Sequence, residues 1–173
     1  MQEQSKQMRL ADAIIAEMDQ EATTTRRLFE VIPEDKLSWQ PHPKAMSLGE
    51  LAMHIAEIPG ALARLGQTDV FEFTEIPSPT RPENRGQILT AFSKALDDAK
   101  SIVDATSDEQ ALATWKLTKD SRTLMEMPRV AFWRALLLNH YYHHRGQLST
   151  YLRILDVPLP SIYGPSADVN PFA

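Results

Sequence analysis

Apolar positions recur three or four apart over about Gln7 to Val31, where Leu10, Ile14, Met18, Ala22, Thr25, Leu28 and Ile32 mark one side of a helix that Pro33 ends. A second helix is predicted to open near Leu48. Ser47 and Glu50 there form a capping box, and Leu51, Ile55, Ile58, Leu62 and Leu65 form the apolar face. Pro59 is expected to kink this helix and Gly66 to end it. Between the two, the stretch Leu-Ser-Trp-Gln-Pro-His-Pro at 37–43 reads as a rigid connector that docks Trp39. A third helix is predicted over roughly Pro82 to Ala105, after a loop containing Pro77 and Pro79, with Leu89, Phe92, Leu96, Ala99 and Val103 on one face. Residues 113–118 and 122–127 then read as a short hairpin around Lys119, Asp120 and Ser121, although the turn has no glycine. A fourth helix runs from about Pro128 to Leu155. The tail from about 157, with Pro158, Pro160, Pro165 and Pro171, should be extended and laid over the helices.

Long amphipathic helices bury their stripes most simply against one another. The expected fold is therefore all-α, a four-helix bundle with a possible short β-hairpin between the third and fourth helices, in one domain spanning 1–173. A chain of 173 residues can hide about 70% of its unfolded surface. With 43% hydrophobic and 24% charged residues, neither disorder nor a collagen-like structure fits. No internal repeat is visible, and the six glycines form no nucleotide-binding loop.

Charge and composition narrow the chemistry. The formal net charge is −5 and no basic run exceeds Arg26 and Arg27, which argues against nucleic acid as a partner. The polar start lacks the apolar stretch of a signal peptide, and nothing approaches the roughly 18 consecutive apolar residues of a membrane span. A cytoplasmic protein with no membrane partner is expected. With no cysteine, a metal site must be built from His, Asp or Glu, and a thiol nucleophile would have to come from solution.

The fourth helix carries the chemistry. His140 and His144 are one turn apart, so they project side by side and can clamp one ion. They are expected on the stripe made by Trp133, Leu137, Leu148, Tyr151 and Leu155, facing the interior. Uncoordinated, both imidazoles would need partners in a stretch with no carboxylate between Ala131 and Leu155. His54, flanked by Leu51, Ile55 and Ile58, is the natural third ligand, although a lone inward histidine is more often a hydrogen-bonded core residue. Three imidazoles with an open position is how zinc-type sites activate a water or ligand, whereas structural zinc is closed by four protein ligands. His143 is placed on the flank and His42, between two prolines, in solvent. Gln147, Glu50 and Glu57 are within reach to orient ligands or water, and equally serve as surface or capping residues.

Other enzyme classes lack their parts. A zincin needs glutamate after its first histidine, and Tyr141 stands there. A carboxylate di-iron bundle needs inward glutamates that the fourth helix does not have. No serine elbow exists, and Ser149 reads as a packing or exposed residue.

His54, together with the run His140, Tyr141, Tyr142, His143, His144, Arg145, Gly146 and Gln147, resembles the metal-binding pattern of the DinB-like family. The segments Trp39 to Pro43, Ser47 to Leu51 and Tyr163 to Asp168 extend the likeness over nearly the whole chain. The resemblance implies a four-helix bundle, commonly a homodimer, with one divalent metal ion, zinc or nickel foremost, held by His54, His140 and His144. It also implies kinship to thiol-dependent enzymes such as mycothiol-dependent maleylpyruvate isomerase and bacillithiol S-transferases. Those activate a small-molecule thiol at the metal for attack on an electrophilic substrate. The expected function is thus a metal-dependent transferase or hydrolase acting on a small molecule. The alternative is a non-catalytic binding or interaction protein whose ion ties the second helix to the fourth. A metal-free bundle that binds an apolar ligand beside the aromatic side chains ranks last.

Overall fold

The structure is a computed structural model that describes residues 8–75 and 78–172; the expected start at Gln7 and the loop residue Pro77 lie outside them. Helix α1 spans Leu10–Glu30, starting where the Arg9 backbone N–H donates to Asp12 Oδ2 (3.0 Å). Helix α2 spans Leu48–Leu65. Its capping box forms as the sequence predicts, with Glu50 N–H donating to Ser47 Oγ (3.2 Å) and Ser47 N–H to Glu50 Oε2 (2.8 Å). The connector before it supplies more acceptors, since Leu48 and Gly49 N–H donate to the carbonyls of Trp39 (2.8 Å) and Leu37 (2.9 Å). Trp39 itself docks edge-on against Tyr151, ring centroids 5.7 Å apart.

Helix α2 is buried on most of its circumference, which makes it the central helix. It packs on α3 (Arg85–Asp104), which also packs on α1. The α2–α3 approach is close at Gly60, where a Cβ would lie 3.0 Å from the Ala95 Cα. Pro59 lies inside α2 without ending it. The helix ends at Gly66, but with φ −70° rather than in the left-handed region. Gly66 is needed there for space, since a Cβ would meet the Trp133 indole nitrogen at 3.0 Å. The first turn of α3 is capped by Asn84, which accepts from Gln87 N–H (3.0 Å), so the helix begins after Pro82 rather than at it.

The fold is mostly helical but not strictly all-α. A three-stranded sheet is present in the order β1 (Val70–Glu72), β2 (Thr114–Lys119), β3 (Arg122–Pro128), with β1 parallel to β2 and β2 antiparallel to β3. The expected hairpin is β2–β3. Its turn places Asp120 and Ser121 at φ +50° and +64°, the left-handed geometry that a two-residue hairpin requires, and Glu72 Oε1 accepts from Asp120 N–H (2.7 Å). β1 escapes a sequence reading because three residues are too short to show a period; Lys116 and its neighbours pair along it. The sheet is pinned to the helices by Trp115, buried against Phe132 (4.2 Å between centroids) and donating from Nε1 to the Leu65 carbonyl (3.2 Å). A short helix α4 (Asp108–Leu112) precedes it, opened by a second capping box from Ser107 and Gln110.

The last helical run departs from uniform α geometry. It consists of α5 (Arg129–Phe132), a π-helical turn (Trp133–Leu138) and α6 (Asn139–Ile154). The reason is legible in the burial. Arg129, Trp133, Leu137, Tyr141 and Arg145 are all buried at steps of four. In an unbroken α-helix those positions would drift by about 160° around the axis. The wider turn absorbs about one residue, or about 100°, and keeps the five on one side. The core forms two clusters. One is built around Leu28, Phe29, Ile55 and Phe92, the other around Trp115, Phe132 and Trp133, and Leu62, Leu96 and Tyr142 touch both. Beyond Asp156 (φ +58°) the tail lies over the helices as expected, but it bends and turns rather than staying extended. Leu159 N–H donates to Asp168 Oδ2 (2.8 Å), Arg153 also pairs with Asp168, and Val157, Leu159 and Ile162 lie on the first cluster. Among the described residues, no helix is long and apolar enough to cross a membrane.

Candidate metal centre

Helices α2 and α6 pack together and bring three imidazoles from distant parts of the chain to one point. His54 stands in the second turn of α2; His140 and His144 stand in the first half of α6. The ring centroids are 4.5 Å apart for His140 and His144, 4.6 Å for His54 and His144, and 5.4 Å for His54 and His140. One nitrogen from each ring lies within 4.8 Å of the others, and the Nε2 atoms of His140 and His144 are 2.7 Å apart. Tetrahedral coordination at ordinary metal–nitrogen lengths needs nitrogens about 3.3 Å apart, so the group could hold a metal ion after small side-chain shifts.

The environment supplies the right protonation state. Burial, and then the neighbouring His144, hold the His54 pKa below the usual histidine value. His140 is pushed down to about 4 by burial and by His144, His54 and His143. His144 is lowered by burial, partly opposed by its bond to Gln147, and lowered further by His143. All three are thus neutral at pH 7, and a neutral imidazole has the lone pair that a cation takes. The donor set contains no carboxylate, and an all-nitrogen set of this kind suits zinc, nickel, copper or iron rather than calcium or magnesium.

One expectation about these residues is corrected. His140 and His144 do not lie on the buried stripe of α6, which is Tyr141, Arg145, Leu148 and Leu152, with Tyr151 and Leu155 only partly buried. Each histidine precedes a stripe residue by one position, about 100° round the helix. The π turn sets this phase, since a uniform helix counted from Trp133 and Leu137 points elsewhere. The histidines therefore sit on the shoulder of the helix, partly exposed, where water reaches them.

The neighbouring candidates divide. Gln147 Oε1 lies 2.7 Å from His144 Nδ1. His143 is exposed, its ring 4.9 Å from that of His144. Glu50 is taken up by the capping box and by Arg81 (2.7 Å), which hold its carboxyl below the usual range. Glu57 accepts from Thr80 Oγ1 (3.4 Å). His42 is exposed and accepts from Lys44 N–H (3.1 Å), and Ser149 Oγ donates to the Gly146 carbonyl (2.8 Å). Imidazole partners in α6 come from the histidines themselves and Gln147, so a missing carboxylate leaves none of these rings stranded.

Sequence reasoning missed the group that fixes α6. Arg145, 1% exposed, forms an ion pair with the buried Glu21 of α1 (2.6 Å) and donates to Thr25 Oγ1 (3.2 Å) and the Glu21 carbonyl (3.3 Å). The Tyr163 hydroxyl accepts from Arg145 and donates to Glu21 Oε2 (2.8 Å), which ties the tail to the same pair. The available signal was a charge, Glu21, inside the apolar stripe of α1 beside Met18, Ala22 and Thr25.

Comparison with known proteins agrees with this architecture. The structure is similar to that of a DinB-like protein from Bacillus cereus ATCC 10987 (TM-score 0.68, 19% identity, 88% of this chain and 97% of that one). It is similar also to the DinB-like protein YjoA of Bacillus subtilis (TM-score 0.65, 19% identity, 87% and 96%). In sequence, the chain is 24% identical over 162 residues to the protein YrdA of Bacillus subtilis (strain 168), covering 91% of this chain and 90% of that one. Those identities speak to fold alone, but the model of the DinB family matches residues 1–169, which take in both helices of the histidine cluster. The chain belongs to the DinB family.

Proposed function

We propose that His54, His140 and His144 hold one divalent ion, zinc or nickel foremost, and that the protein is a metal-dependent transferase or hydrolase acting on a small molecule. The observation that carries this reading is the meeting of three neutral, partly exposed imidazoles from α2 and α6 with no carboxylate among them. When bound, such an ion supplies Lewis acidity that favours the thiolate or hydroxide form of a small thiol or water at neutral pH. The chain's part is to place three nitrogens on one side of the site and leave the other side to solvent. Burial keeps the rings neutral, and the Arg145–Glu21 pair holds α6 at the rotation that aims His140 and His144 at His54. Since the chain has no cysteine, the nucleophilic thiol comes from solution and attacks an electrophilic small molecule. Assembly as a cytoplasmic homodimer, with no nucleic acid or membrane partner, belongs to the same proposal.

The test is thiol conjugation to a small electrophile, followed with metal-loaded and chelator-treated protein. Turnover that requires the ion and is abolished by His54→Ala with the fold intact supports the enzyme reading. A second reading, a structural ion, draws on the fact that the three ligands bridge α2 and α6. It predicts that metal removal lowers the melting temperature and that no turnover accompanies the loaded protein.

A further inference from the structure

We propose that Gln147 is the positioning residue of this site: its Oε1 takes the Nδ1–H of His144 and thereby turns the Nε2 lone pair toward the ion. The inference rests on the metal reading above. Its ground is the 2.7 Å contact between His144 Nδ1 and Gln147 Oε1, one turn along α6. A neutral imidazole carries a single proton, and free histidine prefers it on Nε2, where it would block ligation through that atom. An acceptor fixed at Nδ1 reverses the preference. Gln147 is suited to this because it is exposed, lies one turn past His144, and offers an acceptor that stays uncharged across the working range.

The assignment propagates to the neighbouring ring. With its proton on Nδ1, His144 presents a bare Nε2 to the Nε2 of His140 at 2.7 Å, so in the metal-free protein His140 must carry its proton on Nε2 and donate it there. His144 is therefore arranged for ligation beforehand. His140 has to move its proton off Nε2 when an ion arrives, or bind through its other nitrogen. The two histidines of α6 thus differ: His144 is held by Gln147 in the tautomer that ligates through Nε2, and His140 is not.

The experiment uses the full chain labelled with 15N-histidine, with long-range imidazole correlations recorded on metal-free wild type, Gln147→Ala and Gln147→Glu, and zinc affinity measured by competition with a chromophoric chelator. Expected is an Nδ1–H tautomer for His144 in the wild type, a shift toward Nε2–H in Gln147→Ala, and zinc binding about 10–100-fold weaker in that variant. Gln147→Glu, which keeps the acceptor, should retain both the tautomer and the affinity. An exposed side chain is replaced, so a merely structural role would move neither readout. A wild type that binds zinc, with His144 showing the same tautomer and an affinity within twofold in Gln147→Ala, overturns the proposal and leaves the metal site standing. A wild type that binds no zinc overturns the metal reading, and the proposal with it.

Discussion

Replacing Arg145 with methionine should be among the most damaging single changes in this protein. The guanidinium is 1% exposed and Glu21 6%, and their charged atoms are 2.6 Å apart. Arg145→Met keeps much of the volume but leaves the Glu21 carboxylate buried without its cation, and removing one partner of such a pair costs about 3–5 kcal/mol. Tyr163 still donates to Glu21 at 2.8 Å, which favours the lower half of that range. For a chain of this length 1 kcal/mol corresponds to about 2–4 °C, so the melting temperature should fall by about 6–20 °C. Glu21→Met should cost a similar amount for the converse reason. The double variant removes both charges together and should cost no more than either single variant, so the coupling in a double-mutant cycle should be at least about 3 kcal/mol. Urea denaturation of the four proteins at pH 7.5 measures it. Single variants within 1 kcal/mol of wild type, or a double variant equal to the sum of the singles, would refute the claim that this pair fixes α6.

Other expectations follow from the same geometry. The folded pKa values of His54, His140 and His144 lie below the unfolded value of about 6.5, with His140 at about 4. The unfolded chain then binds more protons between those limits, so in chelator-treated protein this contribution to stability is complete above about pH 6.5 and is lost as pH falls toward 4. Urea midpoints across that range should show it, with a shallower slope for His140→Gln; equal slopes would contradict the assignment. Ser121 holds φ +64° in the β2–β3 turn, so Ser121→Gly should raise stability by up to about 1 kcal/mol in thermal denaturation. At Gly60 a Cβ would stand 3.0 Å from the Ala95 backbone, and Gly60→Ala should destabilise by about 1–3 kcal/mol in the same assay. No loss there would mean that α2 and α3 can separate freely.

The long helices were legible because their apolar residues keep the helical period over several turns and because Ser47 and Glu50 mark a start that the structure reproduces. The hairpin was legible from two short runs around Asp120 and Ser121, even without glycine. β1 and α4 were not, since three and five residues carry no usable period; what forms them is pairing with β2 and the cap at Ser107. The meeting of His54 with His140 and His144 was foreseen from spacing and resemblance. Their place on the shoulder of α6 was not, because it depends on the π turn, and that turn follows from where Trp133, Leu137 and Tyr141 must pack. Arg145 was hidden for a related reason. Its partner Glu21 is 124 residues away in sequence, so a charge inside the apolar stripe of α1 marks a buried carboxylate without showing what pairs with it.

The most direct test of the account is the metal content of protein purified without an affinity tag, measured by mass spectrometry for wild type and for His54→Ala and His140→Ala. Near-stoichiometric zinc or nickel is expected in the wild type and strong depletion in both variants, each still folded by circular dichroism. Equal, near-zero occupancy in all three, even after incubation with either ion, would contradict the assignment of these histidines as ligands.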